Sequence, residues 1–152
     1  MTRRWNDQST FGSAVGSLVP FNFVVNGNTS DKWLGYGNSA ADSSQIPLIV
    51  LQDSDLKGVG FSNRDDNVDI DIEIYANGAL ISTVLVRNRR WYYTAGGVPN
   101  SPVFSQGDRI SVFLRKFTGG SGDITAQDPI VTLYTKFIDE QAATGGAQTG
   151  VT

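Results

Sequence analysis

The clearest pattern along the chain is a strict alternation of apolar and polar residues over residues 68–75. Valine or isoleucine occupies every second position, and acidic residues fill most of the positions between them. Side chains alternate between the two faces of a β-strand, so this period of two predicts a strand with one buried face. A second apolar run over residues 80–86 follows Asn77-Gly78, and Asn-Gly between two such runs favours a type I′ turn. The pattern predicts a β-hairpin.

The two-residue turn also predicts the register of the hairpin. Ile74 is expected opposite Ile81 and Ile70 opposite Leu85, on a face that belongs to the core. The other face then mixes carboxylates with apolar side chains, which suits a subunit interface better than it suits solvent. Its predicted members are Asp69, Asp71, Glu73, Leu80, Ser82, Val84 and Val86.

Shorter β-branched or aromatic runs, separated by glycine-rich and polar turns, predict further strands. They cover residues 18–25, 32–36, 46–51, 56–61, 90–94, 110–116 and 130–138. Many short strands without a long helical pattern predict an all-β fold, an antiparallel two-sheet sandwich of the jelly-roll type. We expect an N-terminal arm over residues 1–17, the β domain over 18–138, and an Ala/Gly-rich tail over 139–152, with both arms extended.

Composition narrows the possible functions. The chain has 152 residues, a net charge of −3, no cysteine and no histidine. Serine–histidine and cysteine–histidine catalysis are therefore excluded, and so are thiolate metal sites. An acidic chain is a poor general nucleic-acid binder, and neither a signal peptide nor a membrane span is evident. We expect a protein without enzymatic activity or cofactors that binds neither nucleic acid nor membrane.

Acidic residues offer two alternative interpretations. Asp69, Asp71 and Glu73 have the spacing of one strand face, which could hold Ca²⁺ or a hydrolytic carboxylate pair. An ordinary polar strand face explains them more simply. Four further aspartates, Asp53, Asp55, Asp65 and Asp66, lie in turn-rich segments where Asx turns account for them better than metal binding.

Residues 87–93 form a basic cluster that runs into three aromatic residues. Arginine, tryptophan and tyrosine dominate interface hot spots, so we rank an assembly interface first. A loop followed by a core strand ranks second. Binding of single-stranded nucleic acid by stacking ranks third, since the chain as a whole is acidic.

The C-terminal half resembles trimeric jelly rolls of the tumour-necrosis-factor-like and collagen-tip type. Residues 104–114, read as F-x-x-G-D-x-[IV]-x-V, look like the turn that enters a long strand near the trimer axis in those families. Residues 128–137 resemble their final strand. With the hairpin, the pattern is similar to decoration (cement) proteins and to fibre or spike domains of phage capsids. The resemblance implies a homotrimer seated on a virus shell.

The resulting hypothesis is a capsid decoration protein on the virion surface that trimerises and clamps neighbouring copies of the major capsid protein. The alternative is a carbohydrate- or receptor-binding tip that uses Trp33, Tyr36, Trp91 and Tyr92, and a hydrolase ranks last. The assembly interface is predicted at Arg3, Arg4, Trp5, Asp71, Glu73, Val84, Val86, Arg89, Arg90 and Trp91.

Overall fold

The computed structural model describes residues 17–37, 45–94 and 98–138. The predicted arm and tail lie outside this part, apart from Ser17. The described ranges contain twelve strands in chain order. They are β1 (Leu18–Val24), β2 (Asn28–Thr29), β3 (Lys32–Tyr36), β4 (Leu48–Ile49), β5 (Ser54–Ser62), β6 (Val68–Ala76), β7 (Ala79–Arg89), β8 (Trp91–Tyr93), β9 (Val103–Phe104), β10 (Arg109–Lys116), β11 (Ala126–Gln127) and β12 (Ile130–Phe137).

Eight of these strands build two curled antiparallel sheets. The front sheet has the order β1-β12-β5-β8, with β9 added to β5. The back sheet has the order β3-β10-β6-β7, with β4 added to β10, and a short β1–β3 pairing joins the two sheets. The eight strands are β1, β3, β5, β6, β7, β8, β10 and β12, in chain order. When they are numbered from one to eight, the front sheet has the order 1-8-3-6. This order defines a jelly roll, so the predicted fold class is confirmed.

Most strands lie where the apolar runs predicted them, but the sequence pattern did not predict the shortest strands. The structure adds β2, β9 and β11, each of two residues, and reduces the predicted strand 46–51 to β4. Two-residue strands have no period to detect, because their existence depends on a partner distant in sequence. β2, for example, pairs with β11 almost a hundred residues later.

The hairpin turn is confirmed, but the predicted register is wrong. Asn77 and Gly78 both have positive φ, and Ala76 pairs with Ala79 as expected. A bulge between Ile74 and Tyr75 then shifts the pairing, so that Ile74 lies opposite Ser82. A shift by one residue moves a strand's side chains to the opposite face. Three residues predicted for the outer face therefore face the core, namely Ser82, Val84 and Val86.

Polar side chains hold this register in place. The buried hydroxyl of Ser82 donates to the carbonyl of Pro99 at 2.7 Å, so its burial leaves no unpaired hydroxyl. A second bulge lies near the other end of the hairpin, where Asn88 has positive φ. Its backbone N–H donates to the buried carboxylate of Asp69 at 2.6 Å, and the N–H of Gly122 donates to the same carboxylate at 2.7 Å.

The Gly-Asp turn before β10 is hydrogen-bonded to the hairpin turn. Gly107 has a φ of +88°, and Asp108 accepts a hydrogen bond from the backbone N–H of Ser105 at 2.9 Å. Its other carboxylate oxygen accepts from the amide of Asn77 at 2.9 Å. The two clearest turn signals of the sequence thus meet at one end of the sandwich.

A single hydrophobic core lies between the sheets. The front sheet contributes Phe23, Leu133 and other residues, and the back sheet contributes isoleucines 70, 72 and 74 of β6 among others. Burial of these apolar side chains provides the main driving force for folding. No helix long and apolar enough to cross a membrane occurs within the described ranges.

Candidate functional site

The outer surface of the front sheet, called the front face below, carries the most exposed aromatic residues described. Strand pairing places side chains in rows across it. Ser62 lies between Trp91 on one side and Ile130 on the other. Gly60 likewise lies between Tyr93 and Thr132 in the next row. The rows bring together residues from β5, β8 and β12 that the sequence separates widely.

Two glycines shape this surface. Gly58 pairs with Tyr134, and a Cβ added to Gly60 would lie 3.3 Å from Cε2 of Tyr134. Because β5 has no side chain at these two positions, the Tyr134 ring packs across the strand. A shallow depression of about 340 Å³ remains beside it, between Tyr93 and Thr132.

Three large apolar side chains of the front face are exposed. Trp91 is 65% exposed, Tyr93 70% and Ile130 40%. The guanidinium of Arg90 lies 5.1 Å from the ring centroid of Trp91 and is held by an ion pair with Asp66 at 3.2 Å. Scattered exposed apolar residues are normal, but a contiguous group indicates an interaction site.

The carboxylates on the back sheet are engaged within the chain. Glu73 accepts two hydrogen bonds from Arg115, at 2.8 and 3.1 Å, and one from the hydroxyl of Tyr75 at 2.8 Å. Asp71 forms an ion pair of 2.8 Å with Arg87. The same Nη1 atom of Arg87 donates to two backbone carbonyls, at 3.0 Å each, and its guanidinium covers the Phe117 ring. These groups form a polar layer over the sheet.

Burial and hydrogen bonding alter the proton affinities in this layer. Partial burial raises the pKa of Tyr75, and its hydrogen bond to Glu73 raises it further. The hydrogen bonds to Glu73 raise the pKa of Arg115 above its already high ordinary value. Both groups therefore keep their protons throughout the physiological pH range.

The predicted interface residues differ in their exposure to solvent, and some of them lie outside the described residues. Val84 and Val86 are 2% and 0% exposed, so their predicted place on an outer face is wrong. Arg89 and Trp91 are exposed, whereas the residues predicted near the N-terminus lie outside the described residues. Those residues are Arg3, Arg4 and Trp5. The interface assignment of Asp71, Glu73, Arg89, Arg90 and Trp91 stays a prediction.

The four aromatic residues proposed for a binding tip do not form one groove. Trp33 lies on the outer surface of the back sheet, with its ring centroid 4.9 Å from those of both Tyr75 and Phe113. Tyr92 packs against the core, and Tyr36 lines a separate cavity. Trp91 alone among the four belongs to the front face.

Tyr134 and Ile130 were missed as site residues by reasoning from the sequence. A signal was present, because residues 130, 132 and 134 alternate with apolar residues along β12. That alternation identifies the outward positions but not their neighbours. Only the pairing of β12 with β5 places them beside Trp91 and Tyr93.

The turn aspartates have structural partners. Asp53 accepts a hydrogen bond from the N–H of Gln106 at 2.8 Å, and Asp128 accepts one from Gly27 at 2.6 Å. The carboxylate of Asp123 lies close to that of Asp65, and this contact raises the pKa of Asp123. Across the described ranges, no group of three or more acidic residues is arranged to hold a metal ion.

Comparisons with known proteins add little to this description. No protein-family model matches the chain, and no curated protein matches it. Among solved structures, it is similar to part of the Podospora anserina GH26-CBM35 β-(1,4)-mannanase, with 15% identity and a TM-score of 0.38. The match covers 78% of this chain and 28% of the mannanase chain, so the chain spans about a quarter of that protein's length.

Proposed function

We propose that this chain is a structural assembly protein that associates with copies of itself through the front face, as a homotrimer that decorates a phage capsid. The observation that carries the self-association is the exposed group of Trp91, Tyr93 and Ile130 around the Tyr134 ring. Large aromatic side chains dominate the binding energy of protein interfaces. The jelly-roll strand order supports the same proposal, since the families that the sequence resembles share it.

The capsid part of the proposal depends on that resemblance and on the chemistry of the surface. A decoration protein must present one surface to its own copies and another to the shell. The front face is apolar and suits the first contact. The opposite surface of the sandwich carries the fixed ion pairs of Glu73–Arg115 and Asp71–Arg87, with Leu80 and Leu85 exposed nearby.

Analytical ultracentrifugation of purified variants tests the self-association. Trp91→Ser and Tyr93→Ser should each weaken it by ~30-fold or more, which corresponds to about 2 kcal/mol for an interface hot spot. Leu85→Ser is the matched control, because Leu85 has a similarly exposed apolar side chain on the back sheet. A wild-type protein that sediments as a monomer at the highest attainable concentration would refute the proposal.

Binding to the shell needs its own experiment. Capsids lacking the protein should bind the wild-type chain in a co-sedimentation assay and should become more resistant to heat or chelators. A trimer that never sediments with such capsids would retain the self-association and remove the decoration function.

Carbohydrate binding is the second candidate, favoured by one feature of the same face. The depression between Tyr93 and Tyr134 has a polar edge, where Thr132 donates a hydrogen bond of 2.8 Å to Asn22. An aromatic platform beside hydrogen-bonding groups suits a sugar ring. Glycan-array binding that is lost in Tyr93→Ala, by a protein that stays monomeric, would favour this candidate over self-association.

A further inference from the structure

An apolar cavity of about 330 Å³ lies between the front sheet and residues 47–52, the segment that contains β4. Four aromatic rings line it, and the 47–52 segment adds aliphatic side chains such as Leu48 and Val50. The four rings belong to Phe21, Tyr36, Phe104 and Phe137. None of the lining residues is charged.

The size and the rim of this cavity are those of a small-molecule site. Its volume lies at the lower end of the range of about 300–1,000 Å³ for ligand pockets. It is roughly twice the size of an engineered cavity of about 150 Å³ that binds benzene. At the rim, the side chain of Leu51 is 83% exposed, and Ile49 is half-exposed. An apolar molecule of one or two rings would fit inside and would also cover part of this rim.

One polar group in the lining points to a more specific ligand. Ser54 is 3% exposed and contributes a hydroxyl to the lining. The neighbouring hydroxyl of Thr135 is engaged, since it donates to the carbonyl of Val19 at 3.2 Å. A hydrogen bond between a bound molecule and the Ser54 hydroxyl would add to the affinity that the apolar lining provides.

We propose that the cavity binds a small uncharged aromatic molecule that carries one hydrogen-bonding group, and that this group pairs with the Ser54 hydroxyl. The aromatic lining provides the apolar contact, and the absence of charged lining residues excludes an ionised ligand, whose burial would be costly. The site is independent of the front face, because it lies on the inner side of the front sheet.

Two probes that differ by one hydroxyl test the proposal on the full chain. Isothermal titration should show saturable binding of one 1-naphthol per chain, with naphthalene binding about two- to tenfold more weakly, the range expected for one hydrogen bond. Ser54→Ala should bring the affinity for 1-naphthol down to that for naphthalene. The affinity for naphthalene should be unchanged in this variant.

Further variants locate the binding. Val50→Phe should fill the cavity and weaken both probes at least tenfold, and Leu51→Glu should weaken both by placing a charge at the rim. Leu80→Glu is the matched control, since Leu80 is an exposed leucine that does not line the cavity, and it should bind both probes normally. If Val50→Phe does not fold, the Ser54→Ala and Leu51→Glu comparisons decide the question.

The proposal is overturned by any of three results. The first is no saturable binding to the wild type, as expected if another part of the chain or a second copy fills the cavity. The second is equal affinity of the wild type for the two probes. The third is binding that Ser54→Ala and Leu51→Glu both leave unchanged.

Discussion

Replacing Val86 with alanine should destabilise the domain substantially, because the observed register buries this side chain completely. Val86 is 0% exposed and lies opposite Ile70 in the core. Removing two buried methyl groups loses about 0.8 kcal/mol of transfer free energy for each, and the cavity left behind adds to this. We expect the free energy of unfolding to fall by about 2 kcal/mol, or the melting temperature by about 4–8 °C for a chain of this size.

Leu85→Ala provides the matched comparison, since the register without a bulge would exchange the two positions. Leu85 is 53% exposed in the structure, so its truncation should cost less than about 1 kcal/mol. Urea denaturation followed by fluorescence measures both values, and an unchanged m-value shows that the denatured state is comparable. A larger loss for Leu85→Ala than for Val86→Ala would refute the bulged register and, with it, the assignment of faces on β7.

Three further predictions concern charged groups. Glu73→Gln should lower the free energy of unfolding by about 1 kcal/mol, because its charge-assisted bonds to the half-exposed Arg115 are lost; an unchanged urea midpoint contradicts this. Asp123→Asn should stabilise the protein slightly at pH 7, because the raised pKa of Asp123 reflects its contact with Asp65. The gain should vanish below the ordinary aspartate pKa of about 3.9, and a melting temperature that falls at pH 7 contradicts the prediction. Asp128 has a lowered pKa, since a backbone N–H and an arginine donate to it. It therefore stabilises the fold above pH ~3.9 and loses this effect as the pH falls through its folded pKa, so Asp128→Asn should destabilise the fold more at pH 7 than at pH 2; equal losses at both pH values contradict this.

Part of the candidate site was accessible from the sequence and part was not. Trp91 was recognisable as a candidate interface residue, because it follows several arginines and precedes two tyrosines. Tyr134 was not, because its importance depends on Gly58 and Gly60 on a neighbouring strand. A glycine in a strand leaves room for a side chain from another strand. The local sequence does not predict which side chain fills that room.

The amino-acid sequence by itself determined the fold class and the sharpest local features of this protein. Alternation over residues 68–75 predicted β6, Asn77-Gly78 predicted the I′ turn, and the segment before Arg109 predicted the turn into β10. These features are local, because backbone preferences within a few residues decide them.

Tertiary structure decided which faces are buried. Along β7, both possible faces carry apolar residues, so the local pattern fits either register. The structure selects the face with Val84 and Val86, since the bulge places them on the core, and the Ser82 hydroxyl finds a partner in the Pro99 carbonyl. Packing and hydrogen bonding over long sequence distances resolve a choice that a period of two leaves open, because a shift of one residue exchanges the two faces of a strand.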